Sequence, residues 1–155
     1  NFAAALYNHG TAAFKGPINF IQNAATFYGG AIVNEGTLTF EAPAIFNDNL
    51  ALDGNYGWGA AIDNRIGATV VFLSTSSFHN NFGGSVEGVI RNNGSMTFNG
   101  AADFAGNGSG DGTLVGNTNS SGQDHGTMRI CGGFTGPDVS AAAFPGVDLT
   151  GNSCL

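Results

Sequence analysis

The residues best equipped for chemistry flank a recurring asparagine. In the segments ALYNHG, AIVNEG, AIDNRIG and VIRNNG the preceding residues are Tyr7, Val33, Asp63 and Arg91, and the following ones are His9, Glu35, Arg65 and Asn93. Carboxylates beside arginines are what cleavage or epimerisation of an acidic polysaccharide demands: a base to move a proton and a cation to hold the developing anion. On adjacent turns of a repeat the same residues make ordinary exposed ion pairs, Glu35 with Arg65 and Asp63 with Arg91, each contributing ~0–1 kcal/mol. Pairing is the expected role, because no two carboxylates recur together on one strand and a turn separates Asp48 from Asp53.

The remaining candidates point away from a catalytic or metal centre. His9, His79 and His125 fall at three different phases of the repeat and are expected to face solvent separately. Asp111 and Asp124, in the stretch 105–124, are oxygen donors of the kind calcium takes, but the Gly, Ser and Asn around them describe a flexible loop. Cys131 and Cys154 are the only cysteines and have no histidines nearby. A disulfide tying an irregular tail to the body is expected, not a zinc site. Tyr56 and Trp58 sit on the turn LDGNYGWG. Such rings grip a sugar or a partner surface, or else pack on the neighbouring turn. Asn93, Asn107 and Asn119 begin glycosylation sequons, of which Asn93 and Asn119 are expected to be exposed. No catalytic residue, cofactor or metal is expected.

The elements that must position these groups follow from composition and period. Charged residues are only 10% of the chain while 26 of its 155 residues are glycine, so long helices are disfavoured and the surface must be neutral and polar. The formal charge of −7 leaves Lys15, Arg65, Arg91 and Arg129 against 11 carboxylates, too few cations to bind a phosphate backbone. No apolar run is long enough for a membrane helix, and the opening NFAAALYNHG lacks the basic start of an intact signal peptide.

Four pairs of phenylalanines, 14 and 20, 40 and 46, 72 and 78, 98 and 104, are each six residues apart. Asn23, Asn49, Asn81 and Asn107 follow each pair by three residues, and Asn8, Asn34, Asn64 and Asn92 precede it. Alternation within TLTF turns Leu38 and Phe40 inward and Thr37 and Thr39 outward. Across copies the inward column reads Ala12, Leu38, Val70 and Met96, and the outward one Thr11, Thr37, Thr69 and Ser95. GTMRI continues both columns with Thr127, Met128 and Ile130, a fifth rung.

These columns define an all-β chain, a single-stranded, right-handed parallel β-helix of about five coils with three short strands per coil, roughly 24 Å long. The expected division is a β-helix over 1–131 and an irregular tail or cap over 132–155 within one domain. Phe14, Phe40, Phe72 and Phe98 form one inward file, and Phe20, Phe46, Phe78 and Phe104 another. The asparagines occupy the corners as amide ladders, where left-handed backbone is tolerated.

The motifs GGAI at 29–32, more loosely GAAI at 59–62, and FxxN, present as FIQN, FNDN, FHNN and FAGN, resemble the repeats of chlamydial polymorphic outer membrane proteins. The resemblance spans roughly residues 3–107. It implies a surface-displayed β-helix of the adhesive kind and carries no catalytic residues.

The function expected is therefore a non-enzymatic, extracellular structural or adhesive β-helix. Because the repeat is already running at residue 4 and leaves the first coil to be covered, either the chain is a piece of a longer β-helix or another molecule stacks there, and self-association through coil ends, head to tail into a filament, is expected. A carbohydrate or cell-surface partner fits this reading; nucleic acid and a membrane span do not. The alternatives are a polysaccharide-binding or polysaccharide-cleaving β-helix and, from the outward threonines, an ice-binding face, although its companion column of Ala13, Thr39, Val71, Thr97 and Arg129 is irregular.

Overall fold

The computed structural model of the protein describes residues 5–117, 126–145 and 147–149, which contain strands and no helix. The first coil carries Leu6–Asn8 (β1), Thr11–Phe14 (β2), Ile18–Ile21 (β3) and Ala24–Ala25 (β4). The second repeats them as Ile32–Asn34 (β5), Thr37–Phe40 (β6), Ala44–Asn47 (β7) and Leu50–Ala51 (β8). The third has Ile62–Asn64 (β9), Thr69–Phe72 (β10), Ser76–His79 (β11) and Phe82–Gly83 (β12), and the fourth Ile90–Asn92 (β13), Ser95–Phe98 (β14), Ala102–Ala105 (β15) and Gly108–Ser109 (β16). Val115–Gly116 (β17), Thr127–Ile130 (β18) and Phe134–Thr135 (β19) begin a fifth.

Corresponding strands pair in parallel, making three five-stranded sheets and one of four strands. The three strands expected per coil are all present, and the fourth, only two residues long, follows the second asparagine of each coil. The third sheet also runs on into Phe134–Thr135, past the expected start of the tail at 132. Register is like on like: Phe14, Phe40, Phe72 and Phe98 align in one file that continues with Ile130. Thr11, Thr37, Thr69, Ser95 and Thr127 align on the outer side of the same sheet.

The core is these files stacked. Rings 40, 72 and 98 lie 4.6 and 4.7 Å apart at interplanar angles of 5°. Rings 46, 78 and 104 lie 4.9 and 4.8 Å apart. The two files meet edge to face, as Phe40 and Phe46 do at 5.9 Å. Stacking at this distance is not the arrangement isolated rings prefer; the strand spacing of ~4.8 Å imposes it.

The amides form two unbroken ladders that run in one direction. Nδ2 of Asn8, Asn34, Asn64 and Asn92 donates to Oδ1 of Asn34, Asn64, Asn92 and Asn117 at 2.7, 2.8, 2.7 and 2.9 Å. The other proton of each Nδ2 goes to a carbonyl of the next coil, at Thr37, Thr69, Ser95 and Thr127. In the second ladder Asn23, Asn49 and Asn81 donate likewise to Asn49, Asn81 and Asn107. That ladder ends on Asp138, whose Oδ2 accepts both the backbone N–H and Nδ2 of Asn107, at 2.7 and 2.9 Å. An acceptor-only group suits this end, since every rung above it points its donors that way.

One corner detail differs from expectation. The ladder asparagines are not themselves left-handed; the residue before each second-ladder asparagine is, at Gln22 (φ 56°), Asp48 (φ 55°), Asn80 (φ 53°) and Gly106 (φ 68°). Turning the chain one residue early aims the following amide into the stack. Glycine is required at the other corner, where a Cβ on Gly36 would stand 2.1 Å from the Gly10 carbonyl oxygen of the coil above.

Residues 134–145 and 147–149 close the far end. Phe144 meets Phe104 edge to face at 5.0 Å, and the Ala143 carbonyl accepts the N–H groups of Leu114 and Val115 at 2.7 and 3.1 Å. Cys131 follows β18 directly, and Cys154 lies outside the described residues.

Candidate functional site

The first sheet is where the chemistry-bearing residues gather. Its strands put Tyr7, Val33, Asp63, Arg91 and Gly116 in one outward file. An outward file of a solenoid is ordinarily wet, but here the segments carrying Tyr28, Trp58 and Glu87 fold across it. Val33 and Asp63 are fully buried and Arg91 is 9% exposed. Tyr28 and Trp58 pair as a parallel bridge with ring centroids 5.3 Å apart.

Of the exposed pairs expected from the sequence, Asp63 with Arg91 is present but buried, and Glu35 with Arg65 is not formed. Arg65 Nε lies 2.8 Å from Asp63 Oδ2, and Arg91 Nη1 approaches Asp63 Oδ1 at 3.7 Å and Arg91 Nε approaches Glu87 Oε2 at 4.0 Å. The guanidiniums lie on the aromatic pair, Arg65 4.5 Å above Tyr28 and Arg91 4.1 Å above Trp58. The Asn93 amide, oriented by its surroundings, accepts from Nε and Nη2 of Arg91 at 3.0 Å each. The Asp63 contacts are ionic and off the hydrogen-bond line, so both carboxylate oxygens are buried without a hydrogen bond. Repetition along the chain revealed Asp63 and Arg91 as neighbours; the covering segments, which the repeat does not encode, decided their burial.

Burial works against both charges. It raises the Asp63 pKa above the ordinary carboxylate value despite the attraction of Arg91 and Arg65, and it lowers that of Arg91 despite Asp63 and Glu87. A raised Asp63 value means the folded chain holds this proton more tightly than the unfolded chain. Its contribution to stability is thus present at low pH and is lost as pH rises through the folded value. Asp103 has the opposite sign: a hydrogen bond from His79 at 2.8 Å lowers its pKa, so its contribution is lost as pH falls. Denaturation midpoints measured against pH should fall across the window above the ordinary Asp value, and Asp63→Asn should flatten that fall. An unchanged slope in the variant would refute the assignment.

Glu35 serves a different set. Its Oε1 accepts the Tyr7 hydroxyl at 2.6 Å, a bond that raises the Tyr7 pKa, and its Oε2 lies 3.0 Å from His9 Nδ1. Together Glu35, Arg65, Ile66, Arg91 and Asn93 line an open groove of about 360 Å³.

The other candidates are placed as follows. Trp58, proposed as a surface contact, is 8% exposed and packed, whereas Tyr56 is exposed and meets its edge at 5.7 Å. Asn93, expected to be an exposed glycosylation site, is buried against Arg91, because the fold over the first sheet closes on it. Asn107 belongs to the second ladder, as its phase implied. His9 and His79 remain apart, each on its own carboxylate. The Asp111 carboxylate accepts the backbone N–H and hydroxyl of Thr113 in a local turn. Asn119, Asp124 and His125 lie outside the described residues. Among those residues no group of three His, Cys, Asp or Glu side chains is disposed to hold a metal, and no helix is long and apolar enough to cross a membrane.

By its four stacked parallel sheets the molecule is a β-solenoid repeat protein. Compared with known protein families, curated proteins and solved structures, the chain matches none.

Proposed function

We propose that the protein is a non-enzymatic, extracellular structural or adhesive β-solenoid that self-associates through a coil end. The observation that carries this is how the repeat spends its polar groups. Nine asparagines, five in one file and four in the other, are consumed in ladders that stiffen the rod, and the outer faces present hydroxyls, amides and few charges. The likeness of GGAI and FxxN to surface-displayed β-helices supports placement outside the cell, and the disulfide expected between Cys131 and Cys154 would belong in an oxidising compartment.

Among the described residues strands β1 to β4 form the edge of all four sheets, and Leu6, Phe14 and Ile18 in that coil are only partly buried. The far end is occupied by residues 134–145 and 147–149. The contact proposed is accordingly first coil to first coil, an isologous pair, in place of the head-to-tail filament that the repeat alone suggests. The backbone N–H groups of Ala13 and Asn19 point away from the second coil, since the carbonyls of Gly10 and Phe14 and the N–H of Ile18 are the groups that face it. Sedimentation equilibrium over rising concentration should show a dimer. The double variant Ala13→Pro and Asn19→Pro, which removes two edge donors and spares the ladders, should abolish it with an unchanged circular dichroism spectrum. A wild-type chain that stays monomeric would sink the association, and cleavage products from a uronate polymer would sink the non-enzymatic assignment.

A further inference from the structure

We infer that the groove over the first sheet binds an acidic saccharide, a polyhydroxylated carboxylate of the uronate type, through the guanidinium of Arg65. The inference rests on the adhesive reading and names the chemistry of its ligand. Only four cationic side chains occur in the whole chain, and two of them line this one groove. Asp63 and the ring pair hold them there.

The donor accounting leaves hydrogen-bonding capacity aimed at a ligand. Arg65 uses Nε on Asp63, and its two terminal amino groups make no hydrogen bond among the described residues. Arg91 gives Nε and Nη2 to Asn93 and its Nη1 is buried beside Asp63, so it adds charge behind the groove and no donor to it. A guanidinium fork matches a planar carboxylate, and the fork loses little freedom on binding when an aromatic face already holds it flat. Tyr28 provides that face to Arg65.

The rest of the groove narrows the class to a sugar acid. Glu35, a carboxylate on the rim, accepts hydroxyl protons, as it already does from Tyr7. It repels a phosphate or sulfate dianion, and the net charge of −7 adds to that repulsion. Ile66, 66% exposed, offers an apolar surface to the C–H face of a pyranose ring. One charge for Arg65, several hydroxyls for Glu35 and an apolar face for Ile66 occur together in a uronate.

The test is a ¹⁵N NMR titration of the full chain with a short oligogalacturonate, its methyl ester and a glutamate-rich peptide. The acid should bind saturably, shifting the amides of residues 35, 65, 91 and 93, and the ester should bind about tenfold more weakly or worse, since it lacks the charge that the fork recognises. Arg65→Gln should weaken binding by about tenfold or more. Because that change also removes a partner of buried Asp63, Glu35→Ala on the exposed rim is the second variant, and it should weaken binding to the same order while the fold is kept. Equal binding of acid and ester, shifts centred elsewhere, a peptide that binds as tightly as the saccharide, or no saturation would each overturn the inference. The self-association experiment contains no saccharide, so its result stands or falls separately.

Discussion

Phe72→Ala is expected to lose about 3–5 kcal/mol of folding stability, read as a lowered midpoint in chemical denaturation followed by circular dichroism. Phe72 is fully buried, with near-parallel rings 4.6 Å above and 4.7 Å below and two edge contacts at 6.3 and 6.1 Å. Removing it deletes apolar contact on every side. The hole cannot shrink, because backbone hydrogen bonds to both neighbouring coils fix the spacing at ~4.8 Å. Phe14→Ala is the control. That ring has one stacked neighbour, Phe40 at 5.3 Å, and is only partly buried, so its loss should cost clearly less. Equal losses would mean that the file does not act as a continuous core.

Asn64→Leu should cost about 2–6 kcal/mol, because it strands two buried groups at ~1–3 kcal/mol each. Leucine keeps the branched outline of asparagine but is bulkier, so overpacking adds to the loss of hydrogen bonding. Without the Asn64 amide, Nδ2 of Asn34 loses its 2.8 Å acceptor, Oδ1 of Asn92 loses its 2.7 Å donor, and the Ser95 carbonyl loses a further bond. Asn8→Leu, at the start of the same ladder, strands a single ladder partner, Oδ1 of Asn34, and should be milder. A ladder whose middle and first positions cost the same would not be transmitting the one-way donor pattern. The same pattern explains Asp138. A carboxylate in mid-ladder would have nothing to donate to the next rung, whereas at the end it has only to accept.

Much of this architecture was legible before any coordinates. The six-residue interval between phenylalanines, the trailing asparagine and the alternation in TLTF assign each residue a side and a rung, and the register follows because identical side chains stack best on themselves. Ile130 beneath Phe98 and Met128 beneath Met96 show that even the degraded fifth rung was readable. Asn117 and Asp138 were not, although they complete the ladders. Asn117 keeps the phase, following Gly116 as Asn92 follows Arg91, but the long stretch between it and Thr127 hides the rung; Asp138 lies past that stretch, and only the path of the backbone brings it beneath Asn107.

The groove divides along the same line. That Asp63 and Arg91 are neighbours was a consequence of period; that they are buried, and that Arg65 turns to Asp63 and not to Glu35, was not. Those outcomes belong to the segments bearing Tyr28, Trp58 and Glu87, whose course over the first sheet comes from turns of unequal length. Sequence by itself determined which residues lie above which, because a coil of nearly constant circumference makes distance along the chain equivalent to height along the axis. Tertiary structure alone decided which outward residues meet water, because covering a sheet depends on how loops pack across coils, and a one-dimensional period holds no information about that.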